Sequence, residues 1–193
     1  MSRRILLLAG SSRADSQSAK VAHYLAARLR TLGACPEVLD LGATPLPLWP
    51  AQQPCPAWQT IAERLRAAEA LVVLSPEWQG MASPALKNLF VYAGRAELAH
   101  KPALLVGVSA GQGGAYPLSE LRASSYKNCR ICFIPEQLIV RQVEQVFNGA
   151  QAVDQADERI RTRADWTLQV LLEYAGALHG LAGRIEWPFA SGM

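Results

Sequence analysis

No apolar run in this 193-residue chain approaches the roughly 18 residues that a membrane-crossing helix needs, so no membrane partner is expected. Charge of one sign is also scarce. The 19 basic and 16 acidic side chains leave a formal +3, and no run of Lys or Arg forms a stripe. Such a balance carries no electrostatic footprint for nucleic acid. The four cysteines, Cys35, Cys55, Cys129 and Cys132, are too few and too scattered for a secreted disulfide framework. Arg3 and Arg4 precede an apolar stretch too short for a signal-peptide core, so a cytoplasmic protein is expected. With half the residues hydrophobic and 18% charged, wholesale disorder is excluded. The length suits one domain over residues 1–193, which should bury roughly 70% of its unfolded surface and needs no metal or disulfide to fold.

The apolar residues fall into an alternating pattern. Ile5 to Ala9 is a short continuous run, apolar on both faces, as in a central parallel strand. Val21, Leu25, Leu29 and Leu32 follow at helical spacing, with Gly33 as a stop. Val38 to Leu41 reads as a second strand, and the proline-rich stretch from Pro45 to Pro56 as a surface connection. Trp58, Ile61 and Leu65 mark a helix, and Ala70 to Leu74 a third strand. Ser83-Pro84 is an N-cap followed by proline at the first helical position, with Leu86, Leu89, Phe90 and Ala93 on the apolar face. Ala103 to Val108 is a fourth strand. A helix is expected from about Pro117 to Tyr126, and a fifth strand from Ile131 towards Val140. A last long helix carries Ala164, Leu168, Leu171, Leu172, Ala175 and Leu178, ending near Gly180; the tail from Arg184 onward is unassigned. Five strands alternating with five helices argue for an α/β domain with a parallel sheet, whose ligands bind beyond the carboxyl ends of the strands.

Three unusual loops occupy those ends. The first, Gly10 to Ser18, runs from a strand into a helix, whose free N–H groups and partial positive charge suit a phosphate. Ser11, Ser16 and Ser18 offer hydroxyls and Arg13 a charge, while Asp15 is expected to point outward. The loop has neither GxGxxG nor GxxxxGK[ST], which argues against a dinucleotide fingerprint and a P-loop nucleotidase. A Ser-rich helix cap with a solvated arginine remains the alternative on spacing alone.

Together the motifs resemble those of the NADPH-dependent FMN reductase family. Gly10-Ser11-x-Arg13-x-x-Ser16 with Ser18 is similar to its GSxRxxSxN loop. Ser75-Pro76-Glu77-Trp78-Gln79-Gly80 and Pro84-Ala85-Leu86-Lys87-Asn88 resemble its PEYNG…PGALKN segment, and Ser109 to Gly114 its third, Gly-rich loop. The resemblance spans about Arg3 to His179. It implies a flavodoxin-like three-layer sandwich with strand order 2-1-3-4-5 and helices on both faces. It also implies bound FMN, NADPH or NADH as electron donor, a small-molecule acceptor (flavin, quinone, azo compound or chromate) and a homodimer or homotetramer. The implied cofactor-binding residues are Ser11, Arg13, Ser16, Gln17 and Ser18 at the phosphate, Pro76, Glu77, Trp78, Gln79 and Gly80 at the ring edge, and Ser109, Gly111, Gly113 and Gly114 at the pyrimidine end. No metal and no catalytic side chain is expected, because a flavin carries the chemistry itself. Glu77 is expected to shape its loop. Ser18 and Gln79 stand where the family has Asn, Trp78 where it has Tyr, and Val91-Tyr92 where Asp-Trp is common.

Two rival signals are present. Gly107 to Gly111 matches the GxSxG elbow of a serine hydrolase, but Gly113, Gly114 and Pro117 delay the helix that an elbow needs. Cys129-Arg130-Ile131-Cys132 is a CxxC, but it lies between a helix and a strand rather than opening a helix, so two buried or half-buried thiols are expected. A flavin-binding redox or sensor partner with little turnover is the remaining non-enzymatic alternative.

Overall fold

The computed structural model describes residues 2–52 and 54–189, so the end of the unassigned tail lies outside the described residues. In β1 (Arg4–Ala9) every residue after Arg4 is buried. Ile5, Leu7 and Ala9 enter one core and Leu6 and Leu8 the other. That alternation is the pleat of a strand covered on both faces. β2 (Cys35–Asp40), β3 (Ala70–Pro76), β4 (Pro102–Val108) and β5 (Cys132–Val140) complete one sheet in the order β2-β1-β3-β4-β5. All four pairings are parallel. The flavodoxin-like order expected above is the order found.

Helices α1 (Gln17–Thr31) and α6 (Gln155–Ala177) close one face through Val21, Leu25, Leu29, Leu168 and Leu171. On the other face α2 (Pro56–Ala67), α3 (Pro84–Tyr92) and α5 (Tyr116–Ala123) bring Ile61, Leu65, Leu86, Leu89, Leu118 and Leu121. Each fully buried Leu or Ile contributes roughly 1.5–3 kcal/mol relative to an exposed one, so the two cores dominate the stability.

Three local details differ from the sequence reading. Helix α5 ends at Ala123 instead of near Tyr126, because Ser125 takes a left-handed φ of +66°. A single turn, α4 (Arg95–Leu98), was not anticipated. Buried Glu97 makes it, taking the N–H of Gly94 at 2.9 Å and the guanidinium of Arg66. Strand β5 bulges around Pro135, where one residue of β4, Leu104, faces three of β5, Ile134, Pro135 and Glu136. Proline has no N–H for the ladder, and Arg122 donates to the carbonyls of Ile134, Pro135 and Glu136 instead. After α6 the chain forms one further turn, α7 (Leu181–Arg184), and Trp187 then stacks on His100 with centroids 5.3 Å apart.

Candidate functional site

A parallel sheet whose order reverses beside β1 leaves a crevice at the carboxyl ends of β1 and β3. Close packing there locks the first two loops together. Ser83, the N-cap of α3, donates its hydroxyl to the carbonyl of Gly10, and the Gly10 N–H reaches Leu74 O at 2.9 Å. A Cβ on Gly10 would lie 2.5 Å from Leu74 O, so no other residue fits without moving backbone. A cleft of about 390 Å³ opens above this junction.

The first loop forms one wall. Ser16 caps α1, its oxygen accepting the Ala19 N–H at 3.1 Å, and buried Ser11 accepts the Arg13 N–H at 3.1 Å. As in any α-helix, the first-turn N–H groups of Gln17 and Ser18 have no intrahelical acceptor. Ser18 is 1% exposed, yet its hydroxyl has no partner, and neither has buried Oε1 of Gln17. Two buried orphan oxygens side by side are costly, about 1–3 kcal/mol each, and mark a place where a ligand supplies the missing bonds. Arg13 lies with its guanidinium 5.4 Å from the centroid of the Trp78 ring, bridging the first and second loops. Asp15, expected to face outward, is exposed with φ +50° and nevertheless contributes to the cleft wall.

The second loop leaves β3 at Pro76 and turns back on itself. Trp78 and Met81 exchange N–H···O bonds of 3.3 and 2.9 Å, with Gln79 at φ +53° and Gly80 at φ +73° between them. Two successive left-handed residues define a type I′ turn, for which Asn-Gly is the favoured pair. Glu77 points away from this turn into the third loop. Its Oε2 accepts the Gly114 N–H at 2.5 Å, while Arg141 donates to Gly113 O at 3.2 Å. The glycine pair is folded back so tightly that a Cβ on Gly107 would lie 2.0 Å from Gly114 O. The third loop is thus clasped from β3 and from the end of β5.

Of the residues singled out from sequence, Ser11, Arg13, Ser16, Gln17, Ser18, Pro76, Glu77 and Trp78 line the cleft together. Gln79 and Gly80 form the exposed tip beside it. Ser109, Gly111, Gly113 and Gly114 do not line it; Ala110 is the residue of that loop in the wall. Ser109 accepts the Gly111 N–H at 3.2 Å, and Gly111 O accepts the Gln142 N–H at 2.9 Å. Sequence reasoning missed Ala14, Val108, Ala110, Val143 and Glu144. Val143 and Glu144 belong to a 3-10 turn (Val143–Gln145) directly after β5. Their signal in the sequence is their place just past the fifth strand, at the same carboxyl edge of the sheet as the three loops.

The rival motifs fall elsewhere. Helix α5 begins at Tyr116, well past Ser109, and none of the three histidines lines the cleft. His179 pairs with Glu69 at 3.2 Å, next to the amino ends of the strands, where the Glu69 N–H meets Arg4 O. All four cysteines are free, and burial pushes the Cys129 thiol up from its ordinary pKa.

The family model for NADPH-dependent FMN reductase matches residues 3–145, about three quarters of the chain. This chain belongs to the NADPH-dependent FMN reductase family. It is similar to the NADPH azoreductase of Bacillus sp. (strain OY1-2), at 29% identity over 144 residues, covering 71% of this chain and 76% of that one. The FMN-dependent NADPH-azoreductase of Staphylococcus aureus is 25% identical over 167 residues, covering 82% and 88%. Among solved structures, the flavoenzyme NAD(P)H:(acceptor) oxidoreductase FerB of Paracoccus denitrificans superposes with a TM-score of 0.73 at 18% identity, over 91% of this chain and 98% of that one, which speaks to the fold. The chain is an FMN-dependent NAD(P)H oxidoreductase.

FMN suits what the residues offer. The Ser18 hydroxyl and the α1 N-terminus provide donors for a phosphate, and Gln17 Oε1 provides an acceptor for a ribityl hydroxyl.

Proposed function

We propose that residues 1–193 form a single FMN-binding domain that passes electrons from NAD(P)H to a small planar acceptor, of azo or quinone type. The observation that carries this reading is the pair of buried, partnerless oxygens on Gln17 and Ser18 in an otherwise assembled cleft. When bound, FMN supplies the hydride-accepting ring. The chain's own part is to bind and orient. Ser11, Arg13, Ser16 and Ser18 with the α1 N-terminus hold the phosphate, and Gln17 holds the ribityl chain. Pro76 to Gly80 border the ring. Glu77 and Arg141 keep the Ser109–Gly114 loop in shape, so that Ser109, Gly111, Gly113 and Gly114 are set at the pyrimidine end before FMN arrives. No side chain is assigned as acid or base. Donor and acceptor then use the same open side of the cleft in turn.

Exposed apolar side chains support a homodimer or homotetramer. Met81, Val91 and Tyr116 are 49%, 56% and 70% exposed, and Val91 stands where the family often has Asp. Lys87 joins α3 to α5 through Glu120, whose other oxygen accepts the Ala82 N–H at 2.6 Å, so these side chains belong to adjoining elements. Dependence on NAD(P)H and four free thiols support a cytoplasmic location. No helix among the described residues is long and apolar enough to cross a membrane.

The test is an absorbance spectrum of the purified protein after adding FMN, then NADPH under anaerobic conditions, then an azo dye or a benzoquinone. Flavin bands that bleach with NADPH and return as the dye loses its colour are expected. Bound FMN that oxidises NADPH no faster than buffer would instead make the protein a redox or sensor partner. Failure to bind FMN would overturn the reading altogether.

A further inference from the structure

Lys20 lies one turn into α1, where its N–H meets Ser16 O at 3.0 Å. Its side chain leaves the helix and reaches a segment more than a hundred residues away. There Nζ donates to Val143 O at 2.6 Å, to Val146 O at 3.0 Å and to Asn148 Oδ1 at 2.8 Å. An ammonium has three N–H donors, and each has a partner. Val143 and Glu144 are part of the cleft wall, and Lys20 stands behind that wall. The same turn carries the third loop, since the Val143 N–H bonds to Ser109 O at 3.1 Å and the Gln142 N–H to Gly111 O. One side chain therefore ties the helix at the phosphate end of the cleft to the turn supporting its other end.

The charge matters as well as the bonds. The ionisable groups in the cleft wall are Arg13 against Asp15, Glu77 and Glu144, an unfavourable balance for a phosphate dianion. The partners of Lys20 Nζ are neutral oxygens, so its charge is not cancelled by a direct ion pair. Burial lowers its pKa, and Glu144 and Asp157 oppose that shift. The far side of the turn has separate anchors. Asp157 accepts the N–H groups of Phe147 and Val153, and Arg161 donates to Gly149 O. Removing Lys20 therefore loosens residues 143–146 while the stretch from Phe147 to Val153 stays held.

We propose that Lys20 is a positioning residue for FMN, which holds the Val143–Asn148 turn against α1 and adds its positive charge to the phosphate end of the cleft. The inference rests on the assignment of the first loop to the phosphate. It is tested by titrating wild type, Lys20→Met and Lys20→Arg with FMN and with riboflavin, which lacks the phosphate, and following flavin fluorescence. Lys20→Met should raise the Kd for FMN about tenfold or more and that for riboflavin by less than about threefold. Lys20→Arg should restore most of the preference for FMN. Equal weakening of both ligands would make Lys20 a merely structural tie, and no change in either would remove its role; both overturn the proposal. A wild-type protein that binds riboflavin as tightly as FMN would overturn the phosphate assignment itself, and the proposal with it. If Lys20→Met does not fold, Lys20→Gln, neutral but still able to bond a carbonyl, carries the same test.

Discussion

Replacing Ser18 by alanine should move stability and ligand affinity in opposite directions. In the protein without flavin, the Ser18 hydroxyl is 99% removed from solvent and has no partner. Such a group costs about 1–3 kcal/mol, so deleting one oxygen, with no change in the fold of the chain, should stabilise the apoprotein by about 1 kcal/mol. For a domain of this size that is roughly 2–4 °C in Tm. In the proposed FMN complex the same hydroxyl would donate to a charged phosphate, a bond typically about 1.5–3 kcal/mol in strength. Losing it should raise the Kd for FMN about 10- to 150-fold. Differential scanning calorimetry of flavin-free protein and fluorescence titration with FMN measure the two quantities separately. A fall of several degrees in apoprotein Tm would show that the hydroxyl already has a structural partner. An unchanged Kd would show that Ser18 does not face the phosphate. Either result refutes the reasoning.

Three further outcomes follow from particular contacts. Glu77→Ala removes the charged acceptor from Gly114 N–H, a loss of about 1.5–3 kcal/mol that should loosen the third loop and weaken FMN binding, with Glu77→Gln restoring part of it; equal FMN affinity in all three proteins would contradict the clasp. Gln79→Asn places the better left-handed residue in the 78–81 turn and should stabilise the protein by roughly 0.5–1 kcal/mol, seen as a higher midpoint in urea. Burial lowers the pKa of Lys101 from 10.5 to about 8 while its ammonium caps α2 through Leu65 O and Arg66 O. Above pH 8 the folded state releases this proton and the unfolded chain keeps it, so this group makes stability rise with pH until about 10.5. Urea unfolding at pH 7.5, 8.5 and 9.5 should show a steeper rise for wild type than for Lys101→Met, and parallel slopes would count against the shift.

Much of this molecule is written in short-range patterns. The run Ile5 to Ala9 announces a strand buried on both faces because every position is apolar and Gly10 ends it. Ser83-Pro84 announces a helix start because the cap and the missing N–H act within one turn, and α3 does begin at Pro84. The first loop was legible for the same reason: Ser16 caps the helix that follows it, and the Ser18 hydroxyl lies two residues past the cap. Local chemistry needs no knowledge of the rest of the fold. The bulge at Pro135 and the early end of α5 at Ser125 show how that legibility fades once neighbours decide the backbone.

Tertiary structure decided the remainder, because strand order brings distant residues together in ways that spacing does not encode. The parallel sheet sets the turn after β5 beside the first loop, which puts Val143 and Glu144 in the cleft and gives Lys20 three acceptors beyond residue 140. It turns Glu77 from the second loop onto Gly114 in the third. It also sends His179 and the CxxC pair to the amino ends of the strands, away from Ser109, which removes two chemistries the sequence had left in view. The local sequence determined which loops could hold a ligand. The packing of the sheet determined which side chains stand behind them, because burial withdraws water and leaves each polar group with only the partners the fold supplies.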